Sequence, residues 1–417
     1  MTMPKVLEVG IVGCGVAGQA AAILLAEAGH RVTIFERFAE PRPIGAGLLL
    51  QPTGLAVLHA LGLGDETIAR GARVTGLAAR TQRGHGILDL RYADLHPRAF
   101  GVGIRRSDLF DILHQRLRQS RVQLVTGLEI AAIERLQLVE ESGRRHGPFE
   151  LIVIADGTNS RLRGQLVPQA RAPLYRWGCL WTTVPDVSGL GRDGLLQQRV
   201  RGTTLMMGLL PVAPGQLTMY WSLPVQALAA HRAIDLDAFR RQATALWPEA
   251  AAVIERAAQS DLARATYRHV ALPRWNTGPV LFIGDAAHGT SPQLGQGANL
   301  ALMDAHALAR SIEQETNLLT ALIAYERRRA ATLAYYQWAS HMLTPFFQSR
   351  LAPFGWLRDA FMSPLRHVPG VRAMMTSTLA GTRRGWFSSA TLDSDGRYPL
   401  DDSLAKRPGV RPKRAEK

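Results

Sequence analysis

The chain of 417 residues holds two cysteines, Cys14 and Cys179, and four lysines, Lys5, Lys406, Lys413 and Lys417. Two cysteines build neither a disulfide framework nor a zinc site, and they point to a reducing cytoplasm. With lysine so scarce, the net charge of +15 rests almost wholly on arginine. These arginines are scattered and do not form blocks interleaved with aromatics, which argues against a nucleic acid as partner. No uninterrupted apolar run reaches the roughly 18 residues of a membrane span. The apolar N-terminal stretch is broken by Glu8, Gln19 and Glu27, so it reads as core and not as a signal peptide. No repeat period, no Ser/His/Asp set and no metal-ligand cluster is visible.

What the chain does have is 47% hydrophobic residues, enough for one large domain with insertions or for two. KVLEVGIV, GCGVAG, QAAAILLAEAG and RVTIFE read as strand, turn, helix and strand, one βαβ unit. TGLAVLHALG and SDLFDILHQRLRQS predict further helices, the second with Ser107 as N-cap. LIVIADG and GPVLFIGD predict buried strands. Between them, LYRWGCLWTTV, TTLMMGLLP and QLTMYWSLP carry the alternation and turn residues of an antiparallel sheet. In that sheet Trp177, Trp181, Met206, Met207, Tyr220 and Trp221 are either core or pocket wall. The expected fold is therefore α/β with a β insertion.

The stretch GCGVAG, Gly13 to Gly18, is a G-x-G-x-x-G, and so is GLGRDG, Gly189 to Gly194. The pattern alone is weak. The second copy follows PDVS, which is no buried strand, and precedes LLQQRVR with no acidic residue ending a later strand, so it is rejected as a dinucleotide site. The first follows a buried strand, opens a helix and has Glu36 eighteen residues after Gly18, which predicts a dinucleotide site. Gly13 would make the tight turn, Gly15 would admit a phosphate, and Gly18 would let helix pack on strand. Glu36 would take a ribose, and its charge opposes a 2′-phosphate, favouring FAD or NAD over NADP.

Two later stretches, LIVIADGTNSRLR and GPVLFIGDAAHGTSPQLGQGANLALMDA, resemble the DG and GD motifs of single-component (group A) FAD-dependent aromatic monooxygenases of the para-hydroxybenzoate hydroxylase type. The resemblance covers residues 5 to about 335 in the right order. It implies a Rossmann-like FAD-binding domain interleaved with a β-sheet substrate domain: 1–72, 98–172 and 268–335 for FAD, and 73–97 and 173–267 for substrate. A C-terminal helical region, 336–390, and a disordered basic tail, 391–417, would follow. By the same resemblance, Gly13, Gly15, Gly18, Glu36 and Arg37 hold the ADP half of FAD, Leu128 meets the adenine, and Gly45 and Ala46 open the segment that runs past the flavin ring. Arg106 either reaches FAD or pairs with Asp108 or Asp111. Asp156 either touches the cofactor or braces its turn, and Asp285 binds the ribityl hydroxyls. Pro292 fixes a turn ahead of Gly297, Ala298 and Asn299, whose N–H groups open a helix toward the N1–C2=O side of the reduced flavin. His288 reads as a structural member of the GD motif.

The resemblance further implies that NAD(P)H reduces bound FAD without a domain of its own. O2 then adds to give a flavin C4a-hydroperoxide, which hands one oxygen to an aromatic, lipophilic substrate by hydroxylation or epoxidation. No metal is implied. A halogenase is disfavoured because no W-x-W-x-I-P segment is present; a reductase of the same fold and a non-catalytic flavin-binding protein stay open. Residues 341–381 are rich in Leu, Phe, Met and Trp, studded with Arg and broken by Pro345, Pro353, Pro364 and Pro369. They are similar to the appendages of ubiquinone-biosynthesis hydroxylases and read as packing against the FAD domain, a dimer contact, a lid over a greasy substrate or a peripheral contact with an inner membrane. A monomer or a homodimer is expected.

Overall fold

In the computed structural model, residues 6–41, 47–229, 233–365 and 367–400 are described. The strand Glu8–Val12 lies inside a six-stranded sheet. It pairs in parallel with Leu151–Ile154 on one side and Arg31–Glu36 on the other. Val280–Phe282 and Gln123–Thr126 extend the parallel order outward, and Asn276–Thr277 adds a short antiparallel edge. Every side chain of Leu151–Ile154 is buried, as expected of a central parallel strand covered on both faces. The helices Val16–Glu27, Arg106–Gln119 and Gly297–Gln314 share one core cluster on one face. A three-stranded meander, Ile130–Glu134, Gln137–Glu140 and Arg145–His146, packs on the other.

The second large sheet has seven strands, in the order 263–268, 174–185, 216–224, 205–213, 195–201, 76–81 and 86–91. All pairings are antiparallel except that of 195–201 with 76–81. One face, with Leu180, Met207, Met219 and Trp221, is covered by the helices Leu236–Leu246 and Ala251–Ala258. The opposite face, with Leu77, Met206 and Leu210, looks toward the C-terminal helices. A third sheet, Gly47–Leu50, Gly101–Arg105 and Ala72–Val74, stands beside it. The fold class is the expected one: a parallel α/β unit interleaved with a largely antiparallel sheet, followed by helices.

The structure corrects three local expectations. The helix after IRR begins at Arg106, so Ser107 is inside it and not its N-cap; an Arg105–Asp108 pair (2.6 Å) stands at this helix start instead. Pro345 and Pro364 fall inside helices and not between them. Both lie in the last turns of Leu318–Phe347 and Ala352–Leu365, where each removes one i→i−4 N–H bond, and each helix stops within two residues. The first ten residues of the expected tail are ordered: Asp393 and Arg397 close a hydrogen-bonded turn, and Leu392 is buried. Residues 401–417 lie outside the described residues, as do Gly45 and Ala46. Among the described residues no helix is long and apolar enough to cross a membrane.

Candidate functional site

A single cavity of about 1250 Å³ runs from the first glycine motif, past the start of the helix Gly297–Gln314, to the space between the seven-stranded sheet and the C-terminal helices. This exceeds the volume usual for one drug-sized ligand, so it has room for two. At the glycine end the backbone explains the motif. Gly13 sits at φ +104°, and a Cβ there would stand 2.5 Å from the carbonyl oxygen of Ala155. A Cβ on Gly18 would meet the Gly13 oxygen at 1.9 Å. Gly15 has nothing within 4 Å of its Cβ position and lines the cavity. It is also the N-cap of the helix Val16–Glu27, which has no side-chain cap and no acid in its first turn. That helix end offers N–H groups and the positive end of its dipole to an anion.

Glu36 ends its strand beside this turn. Its Oε2 accepts from the Cys14 N–H (2.9 Å) and its Oε1 from the Phe38 N–H (3.1 Å), which fixes the carboxylate at the cavity wall. Burial and then the Glu36 charge push the Cys14 thiol up to about 12, so it stays protonated. The Leu128 N–H is committed to the Glu36 carbonyl (3.0 Å), leaving its side chain and carbonyl to face the cavity. Arg37 also lines this end.

Farther along, Asp156 is half-buried, and its Oδ1 is buried with no hydrogen-bond partner among the described residues. Burial pushes its carboxyl up to about 6 against the hydrogen bond of Ser160. Asp285 projects into the cavity from the turn after Gly284. Pro292 begins a short 3₁₀ turn, Gly295 closes it at φ +61°, and Gly297 starts its helix with no side-chain cap and no first-turn acid. The Asn299 side chain faces the other way: its amide donates to the Leu49 carbonyl (3.1 Å) and its oxygen accepts from the Gln51 N–H (2.8 Å). Asn299 therefore ties the helix to the strand Gly47–Leu50. His288 is structural, as read: it bonds to Asp304, which also accepts from Arg329 (2.7 Å) and the Gly284 N–H (2.9 Å). Burial alone would raise the Asp304 carboxyl, but His288 and Arg329 hold it down at about 2. Arg105 takes Asp108, and the Arg106 guanidinium lies over the Trp181 ring at 5.0 Å, on the cavity wall.

These features fit FAD: an open glycine cradle, two helix N-termini without side-chain caps, a fixed carboxylate at Glu36, and buried oxygens of Asp156 and Thr290 that lack partners among the described residues. Comparison with known proteins agrees. Residues 6–334 match the FAD binding domain family. The chain belongs to this family, the group A flavin monooxygenases. It is 29% identical to a 2-heptyl-3-hydroxy-4(1H)-quinolone synthase of Pseudomonas aeruginosa, over 85% of this chain and 94% of that one. It is 28% identical to an aurachin C monooxygenase/isomerase of Stigmatella aurantiaca, again over 85% and 94%. The crystal structure of Klebsiella pneumoniae HpxO complexed with FAD and uric acid superposes with a TM-score of 0.77 at 21% identity, covering 90% of this chain and 97% of that one; at that identity it speaks for the fold. The chain is an enzyme of the FAD-dependent monooxygenase class, using FAD, NAD(P)H and O2.

At the far end of the monooxygenase's cavity, Trp181, Met206 and Tyr220 line the wall, Met207 and Trp221 point to the opposite face of the sheet, and Trp177, on the same face as Trp181, is buried outside the cavity. Sequence reasoning missed Cys179, Gln198 and Tyr267 as wall residues. Gln198 donates to the Tyr220 hydroxyl (2.5 Å), and Cys179 bonds to Tyr267 (3.1 Å). Burial raises both phenols well above their usual range and the Cys179 thiol to about 11, so all three keep their protons at neutral pH. Met342, Phe346, Met362, Met374 and Met375 close this end. Every charged side chain on the wall, among them Glu36, Arg106, Asp156 and Asp285, comes from outside 173–267 and 336–390. Arg176, Arg199 and Arg201, which could have met a carboxylate, do not line it; Arg199 stacks on Trp247 instead (4.6 Å).

Proposed function

We propose that this flavoenzyme hydroxylates or epoxidises a neutral aromatic molecule carrying an apolar substituent. The observation that carries this reading is the substrate end itself: neutral hydroxyl, thiol and amide groups on the sheet side, thioether and aryl groups on the helix side, and no charge from either. An aromatic carboxylate would meet Arg106, over Trp181, only at the border with the cofactor end; deeper among the sheet and helix side chains it would lose its hydration without gaining a charged partner, a cost of several kcal/mol on the order given by burial of unpaired charge. A ring with a carbonyl or hydroxyl could instead bond to Tyr220, Tyr267 or Gln198, while an alkyl group lies among the methionines, whose flexible side chains adapt to it. The name of one relative, the 2-heptyl-3-hydroxy-4(1H)-quinolone synthase, agrees with a neutral ring carrying an alkyl chain.

Within this reading, Gly13 and Gly18 shape the turn, Gly15 and the N–H groups of the helix Val16–Glu27 hold the pyrophosphate of FAD, Glu36 its ribose, and Arg37 and Leu128 flank the adenine. Asp285 takes ribityl hydroxyls, and Asp156, beside it on the same wall, serves the same cofactor. The N–H groups of Gly297 and Ala298 would offer donors to negative charge on the bound flavin, while Pro292 and the Asn299 side chain fix the start of that helix. Arg106, over Trp181, is the cation between the two ends. When bound and reduced by NAD(P)H, FAD supplies the oxygen-transfer chemistry with O2. The chain's own part is to bind and orient the ring, keep the phenols of Tyr220 and Tyr267 as proton-bearing donors, and exclude water with the apolar wall. We also propose that the division into FAD and substrate segments follows the boundaries read from sequence, and that 341–381 is the part nearest a membrane surface.

The test is substrate-stimulated NAD(P)H oxidation under ¹⁸O2. Neutral alkylated quinolones and phenols are expected to stimulate consumption and to carry one labelled oxygen into product. Faster turnover of aromatic carboxylates, or oxidation of NAD(P)H with no label transferred, overturns the proposal.

A further inference from the structure

The helix Ala352–Leu365 has its polarity reversed. Its exposed positions are Ala352, Pro353, Trp356, Leu357, Ala360, Phe361, Pro364 and Leu365. Of its two charged residues, Asp359 is half-buried, and Arg358 is 1% exposed and points inward, donating to the carbonyls of Gly202 (2.8 Å) and Phe346 (2.9 Å). A helix on a protein surface in water normally turns its apolar stripe to the core and its charges outward. Here Trp356 is 82% exposed and Phe361 58%. Among the described residues, eleven of the seventeen exposed large apolar side chains lie between Trp338 and Phe387, so the feature is a patch and not scatter.

Charge points to what covers the patch. From Arg327 to Leu392 the sequence holds one carboxylate, Asp359, and Arg358 occupies it (2.7 Å). Arg350 and Arg384 are exposed in the same stretch, and farther along the sequence holds the basic run KRPGVRPKR, residues 406–414. An apolar wedge together with a polybasic segment is the two-part signal that holds a protein on an anionic bilayer. The cavity opens on this side as well: Trp338, Met342 and Met374 line it and are also 45 to 47% exposed. We propose that the outer face of the helix Ala352–Leu365, with the exposed apolar residues around it, docks on an anionic phospholipid surface and turns the mouth of the cavity toward the lipid. This rests on the membrane-facing reading of 341–381 given above, narrowing it to one helix face and one lipid class, and it stands or falls independently of the proposed reaction.

The test is co-sedimentation of the full-length holoenzyme with vesicles of phosphatidylcholine alone and of phosphatidylcholine with phosphatidylglycerol, with no substrate present. Binding is expected to the mixed vesicles, to weaken at high salt, and to fall at least tenfold in Trp356→Ser/Phe361→Ser. Both side chains are mostly in solvent, so retained FAD absorbance confirms that the variant is folded; Trp356→Ser alone serves if the double variant is not. Three results overturn the proposal: no binding of the wild type to either vesicle, binding that the substitutions leave unchanged, or a wild-type dimer that they split into monomers without any vesicle binding. Turnover is not read in this assay, so a wrong substrate class cannot produce any of these outcomes.

Discussion

GCGVAG and GLGRDG share one pattern and do opposite things with their backbone amides. In the second, the strands Leu174–Pro185 and Leu195–Arg201 flank a turn closed by its own acid: Asp186 accepts from the N–H groups of Leu190 (3.0 Å) and Gly191 (2.8 Å). The place an anion could take is filled by the chain. In the first, the chain takes the Gly13 amide with the Phe35 carbonyl (2.8 Å) and the Cys14 amide with Glu36, and the helix beginning at Val16 is left without a side-chain cap. A nucleotide site is thus a set of donors withheld from the protein, and the glycines matter because they bring backbone close to the ligand and to each other.

The largest effect belongs to Gly18. A methyl there meets the Gly13 oxygen at 1.9 Å, and neither backbone can yield without moving helix against strand. Gly18→Ala is expected to cost more than about 3 kcal/mol and to give little soluble yellow protein. Recovery of wild-type amounts of FAD-loaded enzyme would show that the contact relaxes and that the first copy is no tighter than the second.

Next comes the residue beneath Gly13. Asp156 has its folded value raised from 3.8 to about 6 by burial, so the folded, FAD-free protein holds this proton more tightly than the unfolded chain. Its contribution to stability is then full below pH 3.8 and lost as pH rises through about 6, and a rise of that size corresponds to roughly 3 kcal/mol. Chemical denaturation of the FAD-free protein across pH 4 to 7 should show this loss in wild type, and Asp156→Asn should lack it. Parallel pH profiles would mean that Asp156 is solvated or paired.

Gly15→Asp separates binding from folding. Its Cβ has open space, so the apoprotein should melt within a few degrees of wild type. A carboxylate in the cradle should weaken FAD by about 100-fold, equivalent to about 2.7 kcal/mol, through lost charge-assisted hydrogen bonds. Fluorescence titration with FAD measures it. Unchanged affinity would place the pyrophosphate elsewhere and remove the contrast with the second copy.

How far the sequence alone reaches follows the same divide. The parallel sheet and its turns are legible because GCGVAG, LIVIADG and GPVLFIGD join buried strands to tight turns, and a period of two or of 3.6 sorts strand from helix. The apolar chamber is not legible residue by residue. Met206 lines it and Met207 does not, although the two are chemically identical; the side that becomes core is set by the helices 236–246 and 251–258, far along the chain. Asp304, at the centre of a buried ion network, reads in LALMDAHALA as one polar residue on a helix. Arg329 lies twenty-five residues on, with no periodicity to link them. The helix Ala352–Leu365 defeats pattern reading altogether, since its apolar stripe faces outward and its arginine faces in.

The smallest expected effect completes the comparison from the second copy's side. Asp186→Ala removes the acceptor for two turn amides, which then turn to water at a partly exposed site, costing about 1 kcal/mol. The strands on either side keep their ladders, and Thr75 still donates to the Gly194 carbonyl (2.6 Å) and so holds the turn to the neighbouring chain segment. FAD affinity should be unchanged, because the turn lines none of the cavity. Thermal melting and FAD titration of the same preparation decide it. A fall in FAD affinity would mean that the second glycine turn communicates with the cofactor end, and the two copies would then differ in degree and not in kind.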